Sequence, residues 1–346
     1  MDYENQFSEL PRLLLPWYQE HKRDLPWRKD RDPYHIWVSE IMLQQTRVEA
    51  VKGYYNRFLA ALPTLADLAV CPDDVLHKLW EGLGYYSRVR NLKKAAQVIM
   101  NDFGGTFPRE HSQVLKLPGI GPYTAGAICS IAFNQPTPAV DGNVLRLIAR
   151  LREDFRPIDL PLVKKDVTEL LEDIYPEQAG DFTQALMELG ATLCGPNRAP
   201  ECSSCPLHEL CAACSHGTAA ELPLKTPKKE RKQEDLTVLI LSCGGRYALE
   251  KRPDQGLLAS LWQFPNVAGH LEPQQALQLA ESWNLHPRDL LKQVHRTHIF
   301  THIQWNMEGY YIEVSEEAPG FSWFTAEEIQ MDAALPTAFR QFFLEI

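Results

Sequence analysis

No stretch of this 346-residue sequence supplies the ~20 consecutive apolar residues that a bilayer-spanning helix requires. The opening MDYENQFSEL lacks the basic segment followed by an apolar one that marks a secretory signal. Both absences predict a soluble, intracellular protein. No internal repeat or low-complexity tract is visible, so a chain of this length divides into two or three ordinary domains. Positive charge is also scarce. Lys and Arg number 35 against 45 Asp and Glu, a net charge of −10, which taken alone argues against a nucleic-acid partner. The distribution qualifies that argument. Residues 51–150 hold 11 basic against 7 acidic side chains, whereas residues 151–200 hold 5 against 10 and residues 301–346 hold 1 against 8. A DNA-facing surface is therefore expected mostly in the first half of the chain.

What is abundant is local. Five of the eight cysteines crowd between Cys194 and Cys214; in a reducing compartment such crowding favours a metal or cluster site over disulfides. Up to about residue 215, apolar residues recur at helical spacing in Ile36–Leu59, Val89–Met100, Thr124–Phe133 and Val144–Leu151. The composition then shifts. LPLKTPKKERKQED reads as part of a linker spanning 216–235. Beyond it come short β-like runs at Leu236–Ser242, Tyr247–Lys251 and Gln304–Val314, a Gly244–Gly245 hairpin turn and one helical stretch, Pro273–Trp283. The expectation is a multidomain protein: an all-α domain over 1–215 and a small α+β domain over 236–346.

Three constellations carry possible chemistry. LPGIGPYTAGAI (117–128) reads as a helix that ends, turns through Gly119 and Gly121, and restarts. Glycines there permit positive φ, and the free N–H groups of the new helix suit a DNA phosphate; an ordinary helix–helix turn is the plain alternative. Asp141, in VDGNV, has the position of a helix cap, and Glu40 lies in an otherwise apolar helical segment. If the two meet, one carboxyl in an apolar pocket acts as an acid while the other stays ionised. That pairing is what breaking a bond to a sugar anomeric carbon needs. Cys194-x₇-Cys202-x₂-Cys205-x₅-Cys211 suits a [4Fe–4S] cluster. Zinc competes, because Cys202, Cys205, Cys211 and Cys214 also make two Cys-x-x-Cys pairs.

With these residues in view, the chain resembles the helix-hairpin-helix DNA glycosylase superfamily and, within it, the MutY family of adenine glycosylases. The shared motifs are DPYHIWVSEIMLQQTRV (32–48), WEGLGYYSRVRNLKKAA (80–96), LPGIGPYTAGAI, VDGNVLRLIARL (140–151), FTQALMELGA (182–191), the cysteines, GLLASLWQFP (256–265), HRTHIFTHI (295–303) and LPTAFRQFF (335–343). The resemblance implies a helix-hairpin-helix glycosylase domain with a [4Fe–4S] loop at 194–211, followed by a Nudix-like domain. It implies a monomer, cytoplasmic and nucleoid-associated, acting on duplex DNA that holds adenine opposite 8-oxoguanine or guanine. Glu40 matches the general acid and Asp141 the carboxylate that stabilises the sugar cation; Tyr123 and Asn143 would orient that carboxylate and the water. Trp27 and Gln184 match adenine-pocket positions, with core packing as the alternative. Gln45 and Tyr85 match residues set in the duplex beside the oxidised base.

Four departures matter. Where strand-cutting relatives carry a Schiff-base lysine, this chain has Tyr123, and a phenol forms no imine; monofunctional chemistry is expected. The family's first cysteine spacer has six residues and this one has seven, which leaves Cys214 as a spare to the implied ligands Cys194, Cys202, Cys205 and Cys211. The Nudix-like domain lacks the Arg-Glu-x-x-Glu-Glu core and reads Gln278-Leu279-Ala280-Glu281-Ser282 instead, so nucleotide hydrolysis is not expected. Its lesion-reading turn is Phe300-Thr301-His302, with Thr in place of the usual Ser. A shifted mismatch preference, or a non-catalytic DNA-binding protein with a structural cluster, are the competing readings.

Overall fold

The computed structural model describes residues 7–196, 199–227 and 230–346. Asn197 and Arg198 of the expected cluster loop, and Lys228 and Lys229 of the expected linker, lie outside the described residues. The chain forms two compact units, Met1–Val70 with Asn91–Pro227 and Cys71–Arg90 with Lys228–Ile346. In chain order the first helices are α1 (Leu10–His21), α2 (Pro33–Leu43), α3 (Val48–Ala61), α4 (Leu65–Val70), α5 (Asp73–Leu79) and α6 (Ser87–Asp102). There follow α7 (His111–Val114), α8 (Pro122–Phe133), α9 (Gly142–Arg152), α10 (Pro161–Glu172), α11 (Ala179–Ala191) and α12 (Ala212–Ser215). Among the described residues no helix is long and apolar enough to cross a membrane.

Local chemistry explains the helices that matter. α1, α2, α8 and α10 each begin with a proline in the first turn, where its missing N–H costs nothing and its φ is already helical. Asp32 caps α2 by accepting from the Tyr34 N–H at 2.8 Å. α2 and α8 are buried along nearly their whole length. A helix apolar on all sides belongs in the interior, so the one carboxylate of α2, Glu40, is carried in with it. The core of the first unit packs Leu10, Leu14 and Tyr18 of α1 against Val144, Leu147, Ile148 and Leu151 of α9 and Phe182, Leu186 and Leu189 of α11. Each such fully buried side chain contributes about 1.5–3 kcal/mol. Residues 216–227 are held against this unit: His216 and Thr218 bond Glu153, and the Ile158 N–H donates to the Leu224 carbonyl at 3.0 Å.

The second unit is a seven-stranded sheet: β1 (Lys232–Cys243), β2 (Arg246–Lys251), β3 (Trp262–Gln263), β4 (Asn266–Ala268), β5 (Pro287–Ile299), β6 (Ile303–Val314) and β7 (Ser322–Thr325). The order is β3-β2-β1-β6-β5, with β4 on β1 and β7 on β2. β1 and β6 run parallel, while the β1–β2 and β5–β6 pairs are antiparallel. Helices cover both faces. Val238 and Ile240 face the side packed by α14 (Ala326–Asp332) and α15 (Thr337–Phe343), while Leu239 and Leu241 face α13 (Pro273–Ser282). Burial on both faces is why β1 reads as an unbroken apolar run. Gly244 and Gly245 both have positive φ, 53° and 81°, as a two-residue hairpin between right-twisted strands demands.

Three features differ from the sequence expectation. β1 already begins at Lys232, inside the span read as linker. β5, thirteen residues long, is absent from the expected strands because it is an edge strand whose residues alternate between half-buried and exposed. Cys71–Arg90, although within the first 215 residues, packs in the second unit. There Lys78 Nζ donates to the Ile329 and Ala333 carbonyls at 3.3 and 3.2 Å. Arg90 donates to the Ala259 carbonyl at 2.7 Å.

Candidate active site

Glu40 is 6% exposed, and its Oε2 accepts a short hydrogen bond from the Tyr123 hydroxyl. α2 brings the acid and the first turn of α8 brings the phenol, so two residues 83 positions apart meet because their apolar helices pack together. Burial pushes the Glu40 carboxyl up from 4.5 to about 7, and the nearby Asp141 charge adds to the rise; the Tyr123 hydrogen bond and the Arg28 charge oppose it. The Tyr123 phenol is pushed well above its ordinary value, first by burial and then by the charges of Glu40 and Asp141. Glu40, Tyr123 and Asp141 thus share one electrostatic neighbourhood.

Asp141 is the N-cap of α9. Its Oδ1 accepts from the Asn143 and Val144 N–H groups at 2.9 and 2.8 Å, and its Oδ2 from Asn143 Nδ2 at 2.6 Å. Burial raises its carboxyl, and these three hydrogen bonds, with Arg146, pull the other way. The cap reading and the functional reading of Asp141 are therefore not alternatives: the cap holds the carboxylate in place. Asn143 is fixed in turn. Arg146, 6% exposed, donates to Asn143 Oδ1 at 2.8 Å and also to the Gly190 and Cys194 carbonyls at 2.6 and 2.8 Å. Gly190 makes room for this: a Cβ there would stand 2.8 Å from the Cβ and carbonyl oxygen of Asn143.

Trp27 sits in the turn Pro26–Arg28, 7% exposed, with its ring edge-on to Tyr55 at 5.6 Å. Gln184 lies on α11, half-buried, and its amide donates to Gly180 of its own helix at 3.4 Å. Sequence reasoning missed the ion cluster beside them. Glu188 of α11, 1% exposed, accepts from Arg23 Nε at 2.6 Å, Arg23 Nη2 at 2.9 Å and Arg28 Nη2 at 2.7 Å. Burial pushes its carboxyl up, but the two guanidiniums outweigh that and hold it below its ordinary value. Arg28 is also the positive charge felt by Glu40. The available signal was a lone Glu in FTQALMELGA and two Arg flanking Trp27.

The hairpin is present between α7 and α8. Gly119 has φ 75°, and an added Cβ would stand 2.5 Å from Asn91 Cβ, so both backbone conformation and space demand glycine. Gly121 has φ −99° and caps α8; its conformation is open to any residue, which corrects the expectation that both glycines supply positive φ. Gln45 and Tyr85 are both exposed and both left-handed, φ 62° and 48°, an uncommon backbone state for non-glycine residues and one that clusters at functional sites. Within the second unit, the Tyr85 hydroxyl is 2.8 Å from Thr301 Oγ1. Phe300, Thr301 and His302 form the tight turn between β5 and β6, closed by the Phe300 N–H donating to the Ile303 carbonyl at 2.8 Å. The Phe300 ring stacks edge-on against His298 and Trp305.

Cys194, Cys202, Cys205, Cys211 and Cys214 all line one cavity. Among the described residues no group of three or more His, Cys, Asp or Glu side chains is drawn together as a metal site. The five thiols stand around the wall of this one cavity. Arg150 of α9 reaches the same wall, donating to Cys194 Sγ at 3.1 Å. The donor set, four or more thiols with a guanidinium hydrogen-bonded to one of them, fits an iron–sulfur cluster.

Comparison with known proteins bears on this geometry. The model of the HhH-GPD superfamily of base excision DNA repair proteins matches residues 38–172, and the NUDIX domain model matches residues 236–345. The adenine DNA glycosylase of Mus musculus is 37% identical, covering 95% of this chain and 76% of the mouse chain. That of Homo sapiens is 36% identical, covering 95% and 72%. Among solved structures, a thermostable thymine-DNA glycosylase is similar at TM-score 0.55 and 32% identity, over 62% of this chain and 97% of that one.

Proposed function

The chain belongs to the adenine DNA glycosylases, enzymes of base excision repair within the HhH-GPD superfamily, and from that premise we propose that it removes adenine standing opposite 8-oxoguanine or guanine in duplex DNA, by hydrolysis alone. The observation that carries this reading is the hydrogen bond from Tyr123 to Glu40. It places a phenol, and no amine, against a buried acid whose neighbour is the capped carboxylate Asp141.

Adenine must leave the stack before its glycosidic bond is reachable. Glu40, raised to about 7, keeps a proton available at neutral pH and delivers it to N7 of the extruded purine, which makes adenine a better leaving group. Departure leaves an oxocarbenium-like sugar. Asp141, held by three N–H groups, faces that cation with its negative charge. Tyr123 fixes the acid's orientation and offers no nitrogen for an imine. Asn143 keeps its backbone and side-chain donors on Asp141 while Arg146 pins its side-chain Oδ1.

Cys194, Cys202, Cys205 and Cys211 would hold a [4Fe–4S] cluster, which when bound supplies a rigid covalent tie between the loop and the helices around it. The Cys194 carbonyl, in the same cavity wall, accepts from Arg146, so the loop's placement bears on Asn143 and Asp141. The hairpin at Gly119 and the N-terminus of α8 would take a DNA phosphate. Tyr85 and the Phe300–His302 turn, hydroxyl to hydroxyl, would read the oxidised base.

The test is a single-turnover assay on duplexes with adenine opposite 8-oxoguanine, guanine or thymine, scored by alkali-dependent strand cleavage, with borohydride trapping in parallel. Alkali-labile product from the first two duplexes and no trapped protein–DNA crosslink supports the reading. Stoichiometric crosslinking, or equal excision opposite thymine, rejects it.

A further inference from the structure

We propose that Cys214 is a reserve ligand of the cluster site, positioned to take the corner that Cys202 holds when that corner is lost. This rests on the reading that the cavity carries an iron–sulfur cluster. Such a cluster offers four corners to four thiolates, yet five cysteines line the wall, so one thiol is in excess. That thiol is not remote. Cys202 comes from the turn Cys202–Ser204 and Cys214 from α12; both line the same wall, and Ala213, the residue before Cys214, belongs to the small buried cluster against which Cys202 packs.

The placement of Cys214 follows from its anchoring. Its N–H donates to the Cys211 carbonyl at 3.1 Å, one tight turn on from a nominated ligand. The Thr218 and Ala219 N–H groups close on the Ala213 carbonyl at 2.9 and 3.1 Å, and Ala213 is buried with Ala219 and Leu222 against Cys202 and Cys211. The fifth thiol is thus built into the wall. The exchange balances without an oxidant: one iron–sulfur bond to Cys202 breaks and one to Cys214 forms, Cys214 giving up a proton and the released Cys202 thiolate taking one.

The experiment compares full-length wild type, Cys214→Ser, Cys202→Ser and the double variant by iron content, acid-labile sulfide and visible absorbance. Wild-type protein with iron and sulfide establishes the cluster; zinc without sulfide overturns both the cluster reading and this inference. Given the cluster, we expect Cys214→Ser to match wild type, Cys202→Ser to keep most of its iron and sulfide, and the double variant to lose both. A folded Cys202→Ser protein as empty as the double variant overturns the inference, as does loss of the cluster from Cys214→Ser alone. If Cys202→Ser does not fold, release of iron under dilute hydrogen peroxide decides: several times faster from Cys214→Ser than from wild type is expected, and equal rates overturn it.

Discussion

Glu40 carries a proton that most glutamates have lost at neutral pH, because burial raises it to about 7. A general acid works only while protonated. The single-turnover rate of adenine excision is therefore expected to be flat below pH 7 and to fall as pH rises through and beyond it; a rate rising over that range would assign the proton elsewhere. The same shift has a stability consequence. Between the ordinary 4.5 and about 7 the unfolded chain releases the Glu40 proton before the native one does, so ionisation destabilises the fold as pH rises through that window. Glu40→Gln removes the burden. It is expected to stabilise the protein by about 3 kcal/mol at pH 8 and to make little difference at pH 4, measured by denaturant unfolding. Glu40 and Asp141 were legible in the sequence because each announces itself locally, one as a lone acid in an apolar helix and the other as a cap before one. Arg23, Arg28 and Arg146 were not. Long charged side chains ordinarily face water, and the partner that binds Arg23 and Arg28, Glu188, lies 165 and 160 residues away.

At the scale of elements, α9 works as a ruler. Asp141 and Asn143 stand at its N-terminus, Arg146 reaches back to Asn143, and Arg150 reaches the Cys194 thiol. α11 closes on this line only because position 190 has no side chain. Gly190→Ala would set a methyl 2.8 Å from Asn143, where the neighbour is backbone and cannot swing aside. The expected cost is ~1–3 kcal/mol of stability, with excision slowed more than DNA binding is weakened, checked by unfolding and by single-turnover kinetics with a binding isotherm. Wild-type excision by this variant would show that Asn143 tolerates displacement. Helices and the doubly buried strand β1 could be read from periodicity, since each repeats one burial pattern. The edge strand β5 could not, because its charged, half-exposed residues resemble a loop until the neighbouring strand β6 is known.

At the scale of the whole molecule, the proposed function would divide excision and lesion reading between different units. Glu40, Tyr123, Asp141 and Asn143 lie in the first; Tyr85 and Thr301, bonded hydroxyl to hydroxyl, lie in the second. Nothing in the linear sequence placed the segment 71–90 with the C-terminal sheet, because the bonds that hold it there span between 169 and 255 residues of chain, Arg90 to Ala259 and Lys78 to Ala333 among them. The division makes a separable prediction. Thr301→Val and Tyr85→Phe each delete one hydroxyl, worth about 0.5–1.5 kcal/mol as a hydrogen bond. Preference for 8-oxoguanine over guanine opposite adenine is expected to fall by roughly 2- to 10-fold, with the excision rate on adenine opposite guanine unchanged. Equal losses on both duplexes would mean that these hydroxyls support the fold and do not read the base.

The most direct measurement is single-turnover excision of adenine opposite 8-oxoguanine by Glu40→Gln beside wild type, with duplex affinity measured on the same preparations. The account predicts no detectable product from a variant that binds the duplex as tightly as wild type. Product formed at the wild-type rate would contradict it.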